Sequence, residues 1–504
     1  MAQIQVDMFE VQLGAALLIQ MRDSTQASVR ILADAGIKAA KPYTRDHVAQ
    51  KLSLACQSFA GAKSKTQIDL LIGTHYDQDH ISGLREVVNL FDVHDAMLPP
   101  ICTPPPAAGT AGIKSAIASP VAVADLGVPD NDTTIPFDDG WADGLRAYLE
   151  YQREVCQAAT RRHSDAVRRL LEAELDEVQR LQGPTDSIRE FVEARIYSYG
   201  ADDDRIDHPS DEQGQSAGTY LRVDAGADVL LTAALQLAAI QKAAAASAIT
   251  AKWLDQLVVA LKAKGVHIRW EQIPRGAPRY FVWDAVVRRF DETSEAEYAG
   301  SVEPKFTLLG PSDYLVSLHS SVIPVGVYLA IGGHILKKSI RASNQLSYVL
   351  LFESEGQGIL VCGDAGCVDF VEPATGAYYQ TLLDAVNSSK VVQVAHHAGQ
   401  NSDFYHVLLN SPFAVAATQS YLLVSHAFHD TTRPSYEFEQ FAGQLTKLNR
   451  PFSLLFTSEP TAAKVASYQG AIHPLQGTGK QNVDDVRLSY GAGAWSVSRH
   501  SIQP

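Results

Sequence analysis

Short apolar runs that stop at a glycine or a charged residue recur in two separate parts of the chain, the spacing expected of strands that end in loops. In the first part they fall at 8–19, with a turn inside, at 29–33, at 68–72 and at 93–98. In the second they fall at 266–270, 306–311, 344–352, 359–361, 391–395 and 421–425. The stretch between reads differently. Pro99, Pro100, Pro104, Pro105 and Pro106 cannot continue a helix or a central strand, so an insertion is expected to begin there. Over 141–182, Leu145, Leu149, Val155, Ala159, Val167, Leu170, Val178 and Leu181 recur at helical spacing around a polar break at 160–165. That spacing predicts one long helix or a pair, closed by Gly183-Pro184. The Ala- and Leu-rich stretch 225–264 is helical in pattern and stops at Gly265. After Phe452 the chain reads as short strands and Gly-rich turns.

Chemistry gathers where the apolar runs end. The run 68–72 leads straight into THYDQDHISGL, which places His75, Asp77, Asp79 and His80 within six positions. Imidazole and carboxylate are the ligands that suit Zn²⁺ or Mn²⁺, and a strand ending in a short loop can aim several of them into one cleft. Asp34 closes the run 29–33, Asp364 follows 359–361 at a glycine, and His396 and His397 close 391–395. The run 421–425 leads through His426 and His429 to Arg433.

The spacing H-x-D-x-D-H resembles the signature of the metallo-β-lactamase fold, whose usual form is H-x-H-x-D-H, with Asp77 where the second His normally stands. This variant, and the order of the segments after it, resembles the soluble domain of the DNA-uptake (competence) protein ComEC. The resemblance implies an α/β protein, a metallo-β-lactamase-like αββα sandwich, with a large, mainly helical insertion. Its first part would span 1–98, the insertion 99–249 and its second part, with the C-terminal strands, 250–504. It also implies two divalent metal ions, Zn or Mn. His75 and Asp77 would hold one; Asp79, His80 and His396 the other; Asp364 would bridge them. His396 is preferred to His397 because it directly follows the strand, which leaves His397 either to support the ligands through hydrogen bonds or to contact substrate. Asp34 would hold the metal loop through hydrogen bonds without ligating, and Asn344 falls where many relatives carry a third His.

Asp79, His397 and His429 are the side chains expected to take a direct part in catalysis. Where relatives carry Gly-His-Pro this chain has Arg433-Pro434. Either His429 has taken over as proton donor or Arg433 contacts an anionic group of the substrate. Two cations about 3.5–4 Å apart can share a hydroxide and polarise a phosphoryl or carbonyl oxygen. The expected function is therefore a metal-dependent hydrolase, a soluble phosphodiesterase or nuclease acting on nucleic acid or a nucleotide. Ester, thioester or lactone hydrolysis is the alternative within the fold, and a non-catalytic regulatory or assembly subunit the alternative outside it.

Composition narrows the setting. Of 504 residues 46% are hydrophobic, enough for one elaborated core, yet no apolar run reaches the length of about eighteen residues that a membrane span needs. The start MAQIQVDMFEVQLG lacks a basic segment followed by an apolar one. A cytoplasmic protein without a membrane partner is expected. Five scattered cysteines make no disulfide framework; Cys362 and Cys367 flank Asp364 but read as small core residues. A net charge of −15 argues against a surface coated for non-specific DNA binding. A local basic track at Arg269, Arg275, Arg279, Arg288 and Arg289 competes with the reading that nearby acids offset these charges. The helical insertion is the expected place for a protein partner.

Overall fold

The computed structural model describes residues 3–37, 46–60, 67–99, 256–320, 342–427, 430–468, 471–472 and 484–500, all within one compact unit of the chain. Of the insertion expected at 99–249 only Pro99 is among them; the helices, the loop and the partner surface expected there lie outside the described residues, as does His429.

Among the described residues sixteen strands form two sheets. The first is built from β1 (Ile4–Met8), β2 (Leu17–Arg22), β3 (Ser28–Ala33), β4 (Gln67–Ile72), β5 (Asp92–Met97) and β6 (His267–Arg269). The second takes β7 (Arg279–Asp284), β8 (Arg289–Thr293), β9 (Lys305–Gly310), β10 (Val349–Ser354), β11 (Gln357–Val361), β12 (Ser389–Gln393), β13 (Ser420–Val424) and β14 (Phe452–Phe456). A C-terminal hairpin, β15 (Asp485–Gly491) and β16 (Ala494–His500), returns to the first sheet. The orders are β16-β15-β1-β2-β3-β4-β5-β6 and β14-β13-β12-β11-β10-β9-β7-β8. Each sheet is antiparallel through one half and parallel through the other, over β3 to β6 and over β11 to β14.

The sequence pattern follows from this division. Antiparallel β1 and β2 alternate, sending Ile4, Val6 and Met8 and then Leu17, Ile19 and Met21 into the core between the sheets. Their other face meets the helix His47–Ala60, where Gln20 Nε2 donates to Ala55 O and Gln5 Nε2 to Ser58 Oγ. Parallel β4 is covered on both faces, so Ile68, Leu70, Leu71 and Ile72 are all buried and the run reads as continuously apolar. Aromatic rings fill the antiparallel end of the second sheet: Phe281 stacks on Phe306 at 4.5 Å, and Phe290 meets the same ring edge-on at 5.2 Å.

One expectation changes. The stretch 344–352 is not one strand, because residues 342–345 form a helical turn and β10 starts only at Val349, after Tyr348 N has bonded to Thr74 O. The arginines around 269–289 are tied to neighbouring groups: Arg269 to Asp95, Arg279 to Glu271 and Glu292, Arg288 to Asp69 and Arg289 to Asp291, with Arg275 over the Tyr314 ring. Their contacts match the reading in which nearby acids offset the charge. Among the described residues no helix is long and apolar enough to cross a membrane.

The hairpin β15–β16 ties the end of the chain to its beginning, with β15 antiparallel to β1 from Ile4↔Tyr490 to Met8↔Val486. A buried ion pair fastens the junction: Lys51 Nζ lies 2.6 Å from Asp485 Oδ1, which also accepts from Glu10 N at 2.7 Å. Removing one partner of such a pair leaves the other charge buried without compensation. Lys51→Met is therefore expected to cost about 3–5 kcal/mol of unfolding free energy in urea titrations. A loss below about 1 kcal/mol, the value of an exposed pair, would contradict the role given to this contact.

Candidate metal centre

The parallel strands within each sheet run the same way, so their C-terminal ends share an edge, and the site is assembled from the loops that leave it. Asp34 follows β3; Thr74 and His75 follow β4; Asp364 follows β11; His396 and His397 follow β12. Asp79 and His80 ride on the short helix Gln78–Ile81. Close backbone packing seats that helix, since a Cβ on Gly36 would lie 1.7 Å from Asp79 O. Ala15 N and Ala35 N donate to Asp79 O and His80 O at 3.0 and 2.9 Å.

Asp364 is the centre of the arrangement, and its two oxygens face different neighbours. Oδ1 lies 3.3 Å from His80 Nε2 and 3.8 Å from His397 Nε2. Oδ2 lies 3.7 Å from His75 Nε2 and 3.4 Å from Asn344 Nδ2. Asp77 Oδ2 stands 3.9 Å from His75 Nε2, and Asp79 Oδ2 stands 3.8 Å from His397 Nε2. Two overlapping groups result, His75 with Asp77 and Asp364 Oδ2, and Asp79, His80 and His397 with Asp364 Oδ1. The carboxylate belongs to both.

The second group differs from the expectation at one position. His397, not the preferred His396, turns its Nε2 to Asp79 and Asp364, while His396 Nδ1 faces Gln400 O at 3.3 Å. The reason is the backbone. His396, His397 and Ala398 have φ of 55°, 53° and 60°, a left-handed turn that no apolar pattern announces and that reverses the side chosen by counting from the strand end.

Asp34 does what a supporting carboxylate should. Its Oδ1 accepts from Thr74 N at 2.7 Å, and its Oδ2 accepts from Thr74 Oγ1 at 2.6 Å and lies 2.8 Å from His80 Nδ1. Burial disfavours the His80 imidazolium, but Asp34 and Asp364 outweigh it and hold its pKa well above the usual value. Burial lowers the pKa of His75 and depresses that of His397 further. Burial also opposes ionisation of Asp364, yet His80, His396 and His397 keep its carboxyl well below the ordinary range.

Four buried atoms of this cluster, His75 Nε2, His80 Nε2, Asp364 Oδ1 and His397 Nε2, lack a well-formed hydrogen bond, the nearest approach being His80 Nε2 to Asp364 Oδ1 at 3.3 Å. Each such atom costs about 1–3 kcal/mol unless something else binds it. Ligand bonds of 2.0–2.2 Å set tetrahedral ligand atoms about 3.3–3.6 Å apart, close to the separations found here. The donor set thus fits divalent cations, and His75, His80 and Asp364, or Asp79, His80 and His397, or His75, Asp77 and Asp79 form triads able to hold one.

Residues 30–166 match the family model of the metallo-beta-lactamase superfamily. The match takes in Asp34 and the loop 75–80; Asp364 and His397 come from the second sheet, beyond it. Two packed sheets with helices give the chain the metallo-β-lactamase-like αββα architecture. Members of that superfamily are mostly metal-dependent hydrolases. No curated protein matches the chain.

The remaining expected residues sit around the cluster. Asn344 is buried against Asp364. Arg433 Nη1 lies 3.3 Å from Asp430 Oδ2, and its Nε is buried without a hydrogen bond. His426 is a fastening of that loop, with Nδ1 2.8 Å from Ser458 Oγ and Nε2 3.2 Å from Arg433 O. Cys362 spends its thiol on Gln393 O, and burial pushes its pKa up, as it does for Cys367. Thr74 and Asp430 escaped the sequence reading; Thr74 carried a signal, as a hydroxyl directly before His75 at a strand end.

Substitution separates the two adjacent histidines. His397→Ala should weaken Zn²⁺ binding by more than about tenfold in equilibrium dialysis, whereas His396→Ala should leave most of the affinity. Equal losses from both, or a larger loss from His396→Ala, would show that the imidazole of His397 is not the one that counts.

Proposed function

We propose that the chain is a metal-dependent phosphodiesterase whose substrate is a nucleic acid or a nucleotide. A single observation supports the phosphodiester over other esters: Arg433 stands beside the second group with an unused buried N–H. Ser435 N bonds Ala398 O at 2.8 Å, which fixes the Arg433 loop against the turn bearing His397. The charge of Arg433 is close enough to disfavour a second positive charge on His397. A guanidinium is a planar fork suited to phosphate oxygens.

In this reading His75 and Asp77 would hold one cation and Asp79, His80 and His397 the other, with the Asp364 carboxylate available to either group. Bound cations of this kind lower the pKa of water and polarise a phosphoryl oxygen. Three carboxylates among the six side chains make the set harder than an all-histidine one, which admits Mn²⁺ beside Zn²⁺. Arg433 orients the phosphate and offsets part of the acidity that the substrate has to meet. The resemblance of the H-x-D-x-D-H spacing to that of the ComEC domain agrees with the same substrate class.

The full chain, supplied with Mn²⁺ or Zn²⁺, should hydrolyse bis(p-nitrophenyl) phosphate and single-stranded DNA. Asp364→Asn is expected to abolish turnover and Arg433→Ala to lower kcat/KM on phosphodiesters by about 10²-fold, the scale for losing one transition-state donor. Hydrolysis of a lactone or thioester panel with no action on phosphodiesters would replace this substrate by the alternative. Undiminished biological effect from Asp364→Asn would remove the hydrolase reading itself.

A further inference from the structure

We infer that Thr74 is a positioning residue through which Asp34 sets the tautomer of both cluster-facing imidazoles of the first sheet, His80 directly and His75 across the Thr74 hydroxyl. The inference rests on the metal-binding reading of the cluster.

An imidazole that gives one nitrogen to a cation carries its proton on the other, and that N–H needs an acceptor. For His80 the acceptor is Asp34 Oδ2, 2.8 Å from Nδ1. His75 is fully buried and its Nε2 faces Asp364 without a hydrogen bond. Its Nδ1 lies 3.3 Å from Thr74 Oγ1. A hydroxyl has one proton and two lone pairs. The Thr74 proton goes to Asp34 Oδ2 at 2.6 Å, the shorter contact and the one with an ionised acceptor. Toward His75 the same oxygen is therefore an acceptor, the His75 proton sits on Nδ1, and Nε2 is free to bind. The opposite arrangement, with Thr74 donating to His75, would put a proton on Nε2 and leave Asp34 one bond poorer.

The surroundings hold the hydroxyl in that role. Thr74 N donates to Asp34 Oδ1 at 2.7 Å and Thr74 O accepts from Tyr348 N at 2.9 Å, so the backbone on both sides of the side chain is pinned. Gly363, with φ +49°, makes the room: a Cβ there would stand 2.3 Å from Thr74 Oγ1. A threonine kept only as a β-branched strand residue would be replaced by valine without consequence. The hydroxyl itself is the functional part.

Equilibrium dialysis of the full chain against Zn²⁺ tests this, together with the imidazole ¹⁵N spectrum of the wild-type protein. Thr74→Val should weaken binding at the His75 group by about 10–100-fold, the effect of losing an outer hydrogen bond to a ligand. Thr74→Ser should recover most of that affinity, and the spectrum should place the His75 proton on Nδ1. Wild-type affinity in Thr74→Val, an equal defect in Thr74→Ser, or a proton on Nε2 of His75 would each overturn the inference. A wild-type chain that retains no Zn²⁺ would overturn the metal reading as well, and that result is distinguishable because it precedes any substitution.

Discussion

Asp364 leaves the end of a strand in the second sheet, yet its oxygens face His75 and His80, which the first sheet supplies, as well as His397 from its own. Charge buried at this depth is tolerable only where opposite charge or a bound cation compensates it. The sandwich meets that requirement by bringing both parallel halves to one edge, so that the loops leaving them interleave. The same requirement explains why the supporting groups are polar. Asn344 braces one side of the carboxylate and Asp34 braces His80 from behind. An apolar wall in either place would leave the imidazoles free to rotate away.

The backbone around the cluster carries the corresponding geometric demands. Consecutive left-handed residues are costly for anything but glycine, at roughly 1–2 kcal/mol each, and here three stand in a row at 396–398. They are held by contacts at each end: His396 N to Gly363 O, Gly399 N to His396 O, and Ser435 N to Ala398 O. Strain of this kind survives only where the surroundings over-determine it. What the fold gains is a sharp reversal that swings His397 toward Asp79 and Asp364 immediately after β12. Gly36 meets a similar demand in the first sheet, where its missing side chain lets the helix bearing Asp79 and His80 sit against the loop after β3.

These features explain what could be read from the chain and what could not. His75, His80 and Asp364 were legible because each directly follows an apolar run or a turn after one, and strand ends of parallel sheets collect at one rim whatever the details. That His397 is the one to turn its Nε2 to Asp79 and Asp364 was not, because which way adjacent histidines point depends on the hand of a turn, and φ leaves no trace in an apolar pattern. Asn344 was placed near the cluster but on the wrong element, since β10 begins only at Val349, after the helical turn has ended. The pairing of β15 with β1 was equally hidden: the pattern marked short strands and Gly-rich turns after Phe452, but partner choice rests on long-range contacts such as Asp485 with Lys51.

Exposure around the cluster gives it a direction. His75, His80, His397 and Asp364 are buried, while the side chains of Asp77 and Asp79 are 20% and 26% exposed. Solvent therefore reaches the cluster past two carboxylates, and a substrate has to follow the same path. For an anion that approach is repulsive on its own, the more so in a chain of net charge −15. Divalent cations held by the cluster would reverse the sign of that approach, and the charge of Arg433, which acts on His397, has the same sign. The acid-rich loop, which alone would repel an anion, would become its anchor only when loaded, so under the proposed function metal binding and substrate binding would be one coupled electrostatic event.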